Sequence, residues 1–229
     1  MTIYKQADSI DELKQILELQ QKNLPKNLLP IEMKESGFLT VKHSFELLKE
    51  MNDIAAHTIA TNIWLFAAFF IDGYGAAGNS MGGKLLGAKD YKGLWKLTKK
   101  IVSYGLVFSV VLCLVGWFFY EPIGQLFSKE EAVLESFYSI VLILLIGLPM
   151  NAIAFVLDGL FKGLGEMKYL RNVLLSATFF GFVPTLYLSM YLGYGFYGIW
   201  AAFVVWMAIR GGALVWKFYR KFRPLALNS

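Results

Sequence analysis

Long apolar stretches dominate residues 54–229 and constrain the fold more than any other feature of the sequence. The 229-residue chain is 56% hydrophobic, and its mean hydropathy of +0.50 is high for a soluble domain. A helix that crosses a bilayer needs about 20 apolar residues, and several stretches reach that length between short charged loops. The sequence therefore predicts an all-α, polytopic membrane bundle of about five transmembrane helices. The expected spans are Ala55–Leu86, Lys100–Tyr120, Ala132–Leu160, Arg171–Leu192 and Phe196–Trp216.

The charges between the apolar stretches alternate in sign and indicate an orientation. Residues 84–100, 162–171 and 217–223 are basic, residues 121–135 are acidic, and residues 193–198 carry no charge. Because basic loops stay on the cytoplasmic side, we expect a multi-pass protein of the cell membrane whose basic segments face the cytoplasm. The net charge of +5 does not indicate a nucleic-acid partner, because the lysines and arginines cluster at helix ends.

Residues 1–53 differ from the remainder because lysines and acids are mixed throughout them. A piece of this length is too short to bury a sizeable core of its own. We therefore expect two parts, a short soluble α/β-like segment at residues 1–53 and a transmembrane domain at residues 54–229. The expected elements of the segment are strands at Thr2–Gln6 and Phe38–Val41, a helix at Ser9–Leu24 that opens with a capping box, a loop around Gly37, and a helix at Phe45–Met51 capped by Ser44.

Two aspartates interrupt the apolar stretches, and each precedes a glycine. Asp72 lies in the first predicted span, and Asp158 lies near the end of the third. A carboxylate in hydrocarbon costs a few kcal/mol or more, so each is a candidate site for a proton or a cation. Alternatives remain open for both. Asp72 can pair with a neighbouring lysine or lie near the interface, and Lys162 follows Asp158 at the spacing of an ion pair along one helix face.

Other polar side chains lie in the predicted spans. His57 can titrate near neutral pH, although a lone interfacial histidine is more often simply solvated. Asn79 and Asn151 can line a path or join helices through hydrogen bonds. Arg210, in the last span, either reaches the cytoplasmic side or neutralises an acid. The candidate residues for binding a proton, a cation or a substrate are Asp72, Asp158, Asn79, Asn151 and His57.

Glycines, prolines and aromatic residues shape the predicted helices. Gly73, Gly75, Gly78, Gly82 and Gly83 make one side of the first span small, which favours close helix packing. Most aromatic side chains should face lipid or interfacial belts, while a minority can form a pocket for apolar or cationic compounds. The prolines that should kink the third and fourth spans are Pro149 and Pro184.

The sequence gives no indication of an enzyme. It contains no nucleophile–histidine–acid set and no cluster of metal ligands. The stretch from Gly159 to Gly165 is rich in glycine, but no strand is predicted before it, as a nucleotide-binding loop requires. We therefore expect no catalytic residue, no bound metal and no cofactor.

Five short stretches follow one another between residues 52 and 222 in a characteristic order. They are Ile54-Ala-Ala-His-Thr-Ile59, Asp72-Gly-Tyr-Gly-Ala-Ala, Gly83-Lys-Leu-Leu-Gly87-Ala-Lys-Asp90, Leu148-Pro-Met-Asn-Ala-Ile-Ala-Phe-Val-Leu-Asp158-Gly-Leu and Gly163-Leu-Gly165-Glu-Met. On these stretches, residues from about 52 to 222 resemble the C-terminal half of the multidrug and toxic compound extrusion (MATE) transporters, in the branch typified by the bacterial DNA-damage-inducible protein F.

This resemblance implies twelve helices in two lobes, of which the present chain holds the last five. It also implies export of cationic, lipophilic compounds in exchange for H⁺ or Na⁺, with Asp72 and Asp158 in the cavity of the C-terminal lobe. Branch members often carry an acid near the position of Asn79, which is neutral here. On this reading transport requires a second lobe, supplied by another copy or another chain.

Residues 1 to about 51 resemble the opening of a GNAT-type N-acetyltransferase, on their predicted order of elements and on Gly37-Phe-Leu-Thr-Val-Lys-His-Ser-Phe-Glu-Leu-Leu-Lys. The glycine signature that binds acetyl-CoA in that family is missing, so acetyl transfer is not expected. The two resemblances together imply a fused or truncated gene product.

The leading functional hypothesis is a multidrug or xenobiotic antiporter, partial or fused, that acts on small cationic, lipophilic compounds in the lipid bilayer. The alternatives are a membrane fragment that does not transport, a membrane-tethered acetyltransferase, and a flippase for lipid-linked compounds.

Overall fold

The computed structural model of the protein describes residues 31–228, with side chains described at Lys49 and from Met51 to Leu227. The chain divides into two units, residues 1–50 and residues 51–229. Six α-helices and one π-helical turn follow one another, and residues 31–228 contain no strand. The elements are α1 (Ile31–Gly87), α2 (Tyr91–Phe127), α3 (Glu131–Gly163), α4 (Met167–Ala177), the π-helical turn (Thr178–Phe182), α5 (Val183–Tyr191) and α6 (Gly195–Asn228).

Five helical segments are long and apolar enough to cross a membrane, which confirms the five spans predicted from the sequence. The third, α3, is the most buried of them, because it packs against both α2 and α6 and forms the centre of the bundle. The five segments are Met51–Gly87, Tyr91–Phe127, Glu131–Gly163, Met167–Tyr191 and Gly195–Leu227.

The strand predicted at Phe38–Val41 is wrong, because these residues lie within α1. The loop expected at Gly37 and the helix start expected at Ser44 are wrong for the same reason. Alternation over four residues is a weak signal, and the flanking glutamates, lysines and leucines favour helix. Extending an existing helix also avoids the cost of nucleating a new element. The elements predicted at residues 2–6 and 9–24 lie outside the described residues.

Helices α1 and α3 approach so closely that their backbones touch. A Cβ atom on Gly159 would overlap the backbone of Gly75, and one on Gly163 would overlap the backbone of Asn79. The small side predicted for the first span therefore does pack closely against its neighbour, as helix pairs in membranes commonly do. Gly73 is outside this contact and faces open space.

Prolines mark irregular helical geometry at two places. Pro184 is the second residue of α5, directly after the π-helical turn that divides the fourth span into α4 and α5. Proline has no N–H to donate to a carbonyl of the preceding turn, so the change of helical pitch there has a local cause. In α2, Phe119 leaves helical geometry three residues before Pro122. The helix α3 is continuous through Pro149.

The glycine-rich stretch after Asp158 ends a helix. Gly165 has a φ of +72° and follows the last turn of α3. The N–H of Gly165 donates to the carbonyl of Lys162, and the N–H of Glu166 donates to that of Phe161, which is the Schellman pattern. The stretch is thus a helix C-cap, in agreement with the absence of a preceding strand.

Candidate functional site

Asp158 lies between two cations, one on its own helix and one on α6. Its carboxylate oxygens are 2.9 Å from the Arg210 guanidinium and 3.2 Å from the Lys162 ammonium. The side chains of Asp158 and Arg210 are only 14% and 12% exposed, whereas that of Lys162 is 47% exposed. Arg210 is therefore the main partner inside the protein, while Lys162 adds a helical pair at the periphery. Both sequence-based alternatives, pairing with Lys162 and neutralisation of an acid by Arg210, are present in the structure.

The Arg210 guanidinium also lies over two aromatic rings. Its central carbon is 5.7 Å from the ring centre of Phe155 on α3 and 5.6 Å from that of Trp206 on α6. Cations near aromatic faces are attracted by the ring quadrupole, most strongly where water is excluded. The Asp158 site therefore combines a carboxylate with an aromatic surface, and the Arg210 guanidinium contacts both.

The two rings under Arg210 belong to a longer run of aromatic contacts, here called the aromatic stripe. Neighbouring rings in the stripe lie between 5.6 and 6.0 Å apart, in tilted or edge-to-face arrangements. Three members recur on α6 every three residues, so one helix face carries them. The other members come from α1, α3 and the π-helical turn. The stripe consists of Trp64, Phe155, Phe182, Trp200, Phe203 and Trp206.

Asn151 borders a small cavity beside the stripe. The cavity has a volume of about 10 Å³, which is close to the space that one water molecule needs. Trp64, Trp200 and Phe203 form its aromatic side, and Gly147 leaves room on α3. Asn151 is only 3% exposed, so its amide is a polar group placed deep within the bundle.

His57 lies at the far end of the stripe from Arg210. Its ring centre is 5.5 Å from Trp200 and 6.3 Å from Phe196, and its Nε2 is 3.4 Å from the Thr61 hydroxyl. In the part of the chain that the structure describes, the buried His57 Nδ1 and Trp200 Nε1 atoms have no hydrogen-bond partner. Two polar atoms on contacting rings are thus available to a polar group that enters between α1 and α6.

Asp72 and Asn79 lie apart from this constellation, on an exposed face of α1. No hydrogen bond or ion pair of the Asp72 carboxylate occurs among residues 51–227. One carboxylate oxygen is 3.5 Å from the position that a Cβ on Gly75 would occupy, so the carboxylate borders the α1–α3 contact. The structure therefore places Asp158, Asn151 and His57 beside the aromatic stripe and leaves Asp72 and Asn79 on an exposed face of the bundle.

Sequence reasoning missed the individual members of the stripe and the proximity of Arg210 to Asp158. The regular spacing of Trp200, Phe203, Trp206 and Arg210 on one predicted helix was the available signal. Residues 51–227 contain no group of three or more histidine, cysteine or acidic side chains able to hold a metal ion.

Comparisons with known proteins agree on one family. The MatE family model matches residues 46–188. DETOXIFICATION 42 of Arabidopsis thaliana is 27% identical over 180 residues, which cover 78% of this chain and 34% of that protein. The DNA damage-inducible protein F of Escherichia coli is 29% identical over 171 residues, covering 72% of this chain and 36% of that protein.

The fold also matches a solved transporter. The crystal structure of the Vibrio cholerae MATE transporter VcmN in its bent form superposes with a TM-score of 0.68 at 20% identity, over 94% of this chain and 53% of VcmN. The chain thus spans about a third of the length of its curated relatives and about half of VcmN. The acetyltransferase resemblance at residues 1–51 finds no support in these matches and stays a prediction.

Proposed function

Since the chain belongs to the MatE family, we propose that residues 54–229 form the C-terminal lobe of an efflux transporter for small cationic, lipophilic compounds. Its five long apolar helices make it a multi-pass membrane protein. The proposed transport is driven by exchange for H⁺ or Na⁺, and a second lobe, from another copy or another chain, completes the pathway. The proposal assigns no role in transport to residues 1–53.

The observation that carries the proposal is the position of Asp158 at the end of the aromatic stripe. A lipophilic cation needs apolar, polarisable surface for its body and a negative charge for its head, and these two features meet here. The contacts of Arg210 support this reading, because its delocalised planar cation contacts the carboxylate and two rings at once. A substrate cation of similar chemistry would compete with Arg210 for this position.

An acid in this position also explains how substrate export can be coupled to the uptake of H⁺ or Na⁺. A carboxylate binds either a proton or another cation, so proton binding at Asp158 removes the charge that holds the substrate. In antiport, entry of one ligand then favours release of the other, because both depend on the same negative group. Asn151 and His57, which also lie beside the stripe, supply polar contacts for a substrate that extends along it.

Asp72 has a different role in the proposal. It lies on an exposed face of a membrane-spanning helix, where contact with hydrocarbon costs several kcal/mol. That cost is avoided if the face borders a second lobe or an aqueous cavity between two lobes. We therefore assign Asp72, with Asn79 on the same helix, to the cavity that the complete transporter forms.

Efflux from cells that lack their main drug pumps tests the proposal. The chain is expressed alone and with a matching N-terminal lobe, and ethidium export is measured after energisation. Asp158→Asn and Asp72→Asn should each reduce export at least tenfold, while Glu135→Gln, which removes an acid at the opposite end of the bundle, should leave it unchanged. If ethidium is exported but neither aspartate substitution reduces the export, the proposal is wrong. If ethidium is exported neither by the chain alone nor by the chain with the N-terminal lobe, the result favours a fragment that does not transport.

A further inference from the structure

A large groove lies outside the candidate site, at the basic end of the bundle. The first turns of α2 and the last turns of α6 form its walls, and its volume is about 790 Å³. Four of its lining side chains are cationic and none is acidic. These four are Lys92, Lys96, Lys99 and Arg223.

The three lysines of the groove lie on one face of α2. Lys92, Lys96 and Lys99 follow the i, i+4, i+7 spacing, which places them on one helix face, and Arg223 approaches from α6. In the part of the chain that the structure describes, none of the four takes part in an ion pair. The nearest acid in sequence, Asp90, uses its carboxylate to accept a hydrogen bond from the Gly93 N–H at the start of α2. The groove therefore concentrates positive charge that no acid among residues 51–227 pairs with.

The floor of the groove is aromatic and firmly packed. The Trp95 ring stacks on Phe218 at 5.4 Å with an interplanar angle of 11°, and meets Tyr219 edge-to-face at 5.0 Å. The Lys99 ammonium lies 5.3 Å from the Trp95 ring centre. Leu227 adds apolar surface at the margin of the groove. Cationic walls above an aromatic floor suit a ligand that has both an anionic group and an apolar part.

The depth of the groove in the membrane further restricts the class of ligand that it can bind. The groove lies where α2 and α6 leave their apolar stretches, at the end of the bundle to which the positive-inside rule assigns the cytoplasmic leaflet. Tryptophan and tyrosine are enriched at this depth because they have an apolar body and a polar edge. Lipid headgroups occupy the same depth, and basic pockets between transmembrane helices bind anionic ones.

We propose that this groove binds the phosphate-bearing headgroup of an anionic phospholipid. The lysines and Arg223 hold the phosphate, the aromatic floor contacts the glycerol, and the acyl chains extend along the apolar part of α2. Because the phosphate then bridges α2 and α6, a bound lipid stabilises the packing of these two helices. Free phosphate meets the same cations but gains nothing from the apolar surface, so it binds far more weakly.

Native mass spectrometry of the full chain, released from mild detergent, tests this proposal. The probes are dioleoylphosphatidylglycerol, dioleoylphosphatidylcholine, sn-glycerol 3-phosphate and inorganic phosphate. Phosphatidylglycerol should bind most tightly, and the double variant Lys96→Gln/Lys99→Gln should weaken its binding roughly tenfold or more. The matched control Lys100→Gln/Lys168→Gln removes the same charge from exposed positions outside the groove, and it should change binding less than threefold.

A second variant and a second measurement separate binding from folding. Arg223→Gln should weaken phosphatidylglycerol binding from the opposite wall, and added phosphatidylglycerol should raise the melting temperature of the unaltered chain but not that of the double variant. Equal binding of phosphatidylcholine, equal losses in the control variant, or phosphate compounds that bind as tightly as the lipid would each overturn the proposal.

Discussion

Arg210 and Asp158 lie 2.9 Å apart, nitrogen to oxygen, although they belong to different membrane-spanning helices. Both side chains are largely buried, so water solvates either charge poorly if the other is removed. The pair joins α6 to the central helix α3 at the end of the aromatic stripe. It is therefore both a structural link and, in the proposed transporter, the group that a substrate cation must displace.

Replacing Arg210 by leucine should destabilise the protein by about 3 kcal/mol, because it leaves a buried carboxylate without its main partner. Lys162 compensates little, since it is 47% exposed. Unfolding by SDS in mixed micelles, followed by circular dichroism, measures the free energy. The double variant Arg210→Leu/Asp158→Leu should recover most of the loss, because no unpaired charge remains.

The control for this prediction is Lys162→Leu, which removes the exposed partner of the same acid. It should cost no more than about 0.5 kcal/mol, as expected of a helical surface pair. Equal losses for the two single variants would show that burial of the Arg210–Asp158 pair has no energetic consequence.

The contact between α1 and α3 should not tolerate even one methyl group. Gly159→Ala places a Cβ into the backbone of Gly75, where no flexible side chain can move aside. We expect a loss of about 1–3 kcal/mol, typical of overpacking, in the same unfolding assay. Gly212→Ala is the matched control, because a Cβ there meets nothing within 4 Å and glycine disfavours helix. That variant should be neutral or slightly stabilising, and a loss as large as that of Gly159→Ala would contradict the packing argument.

The spans were predictable because the signal is local. Backbone groups within a bilayer must be satisfied inside the helix, so composition over about 20 residues decides the structure. The pair of Asp158 with Lys162 was predictable for the same reason, since both lie on one helix four residues apart. The small side of α1 could likewise be assigned to close packing from the spacing of its glycines.

Features that depend on how helices pack could not be predicted. Whether Arg210 meets an acid depends on the register of α6 against α3, and no local pattern specifies that register. The sequence therefore offered both Asp72 and Asp158 as candidates, while the structure separates an exposed acid from a largely buried, paired one. The strand predicted at Phe38–Val41 failed because four alternating residues cannot outweigh the helix that continues through them.

A hydrogen bond between Thr178 and Trp206 should stabilise the packing of the π-helical turn against α6. The indole N–H of Trp206 donates to the Thr178 hydroxyl at 3.2 Å, and that hydroxyl donates to the Leu174 carbonyl. Thr178→Val removes the acceptor and leaves the indole N–H without it, at an expected cost of about 1 kcal/mol. In a Trp206→Phe background the same change should cost markedly less. Equal costs in both backgrounds, measured as a double-mutant cycle, would rule out this link.

Binding of a lipophilic cation should respond oppositely to the two members of the Arg210–Asp158 pair. Tetraphenylphosphonium binding to the purified chain can be followed by quenching of tryptophan fluorescence, since the proposed site contains Trp64, Trp200 and Trp206. Asp158→Asn should weaken binding about tenfold, because it removes the negative charge. Arg210→Gln should strengthen it by a similar factor, because the resident cation no longer occupies the carboxylate and the rings.

The Lys162→Gln variant tests whether binding responds to the loss of any cation beside Asp158 or only to the loss of the one that lies over the aromatic rings. It also removes one cation from Asp158, but from its exposed side, whereas only Arg210 lies over Phe155 and Trp206. It should therefore strengthen binding less than Arg210→Gln, by about twofold or less, since exposed charges interact weakly through solvent. If Lys162→Gln strengthens binding as much as Arg210→Gln, the aromatic stripe contributes nothing to the site, and the proposed competition between Arg210 and the substrate is wrong.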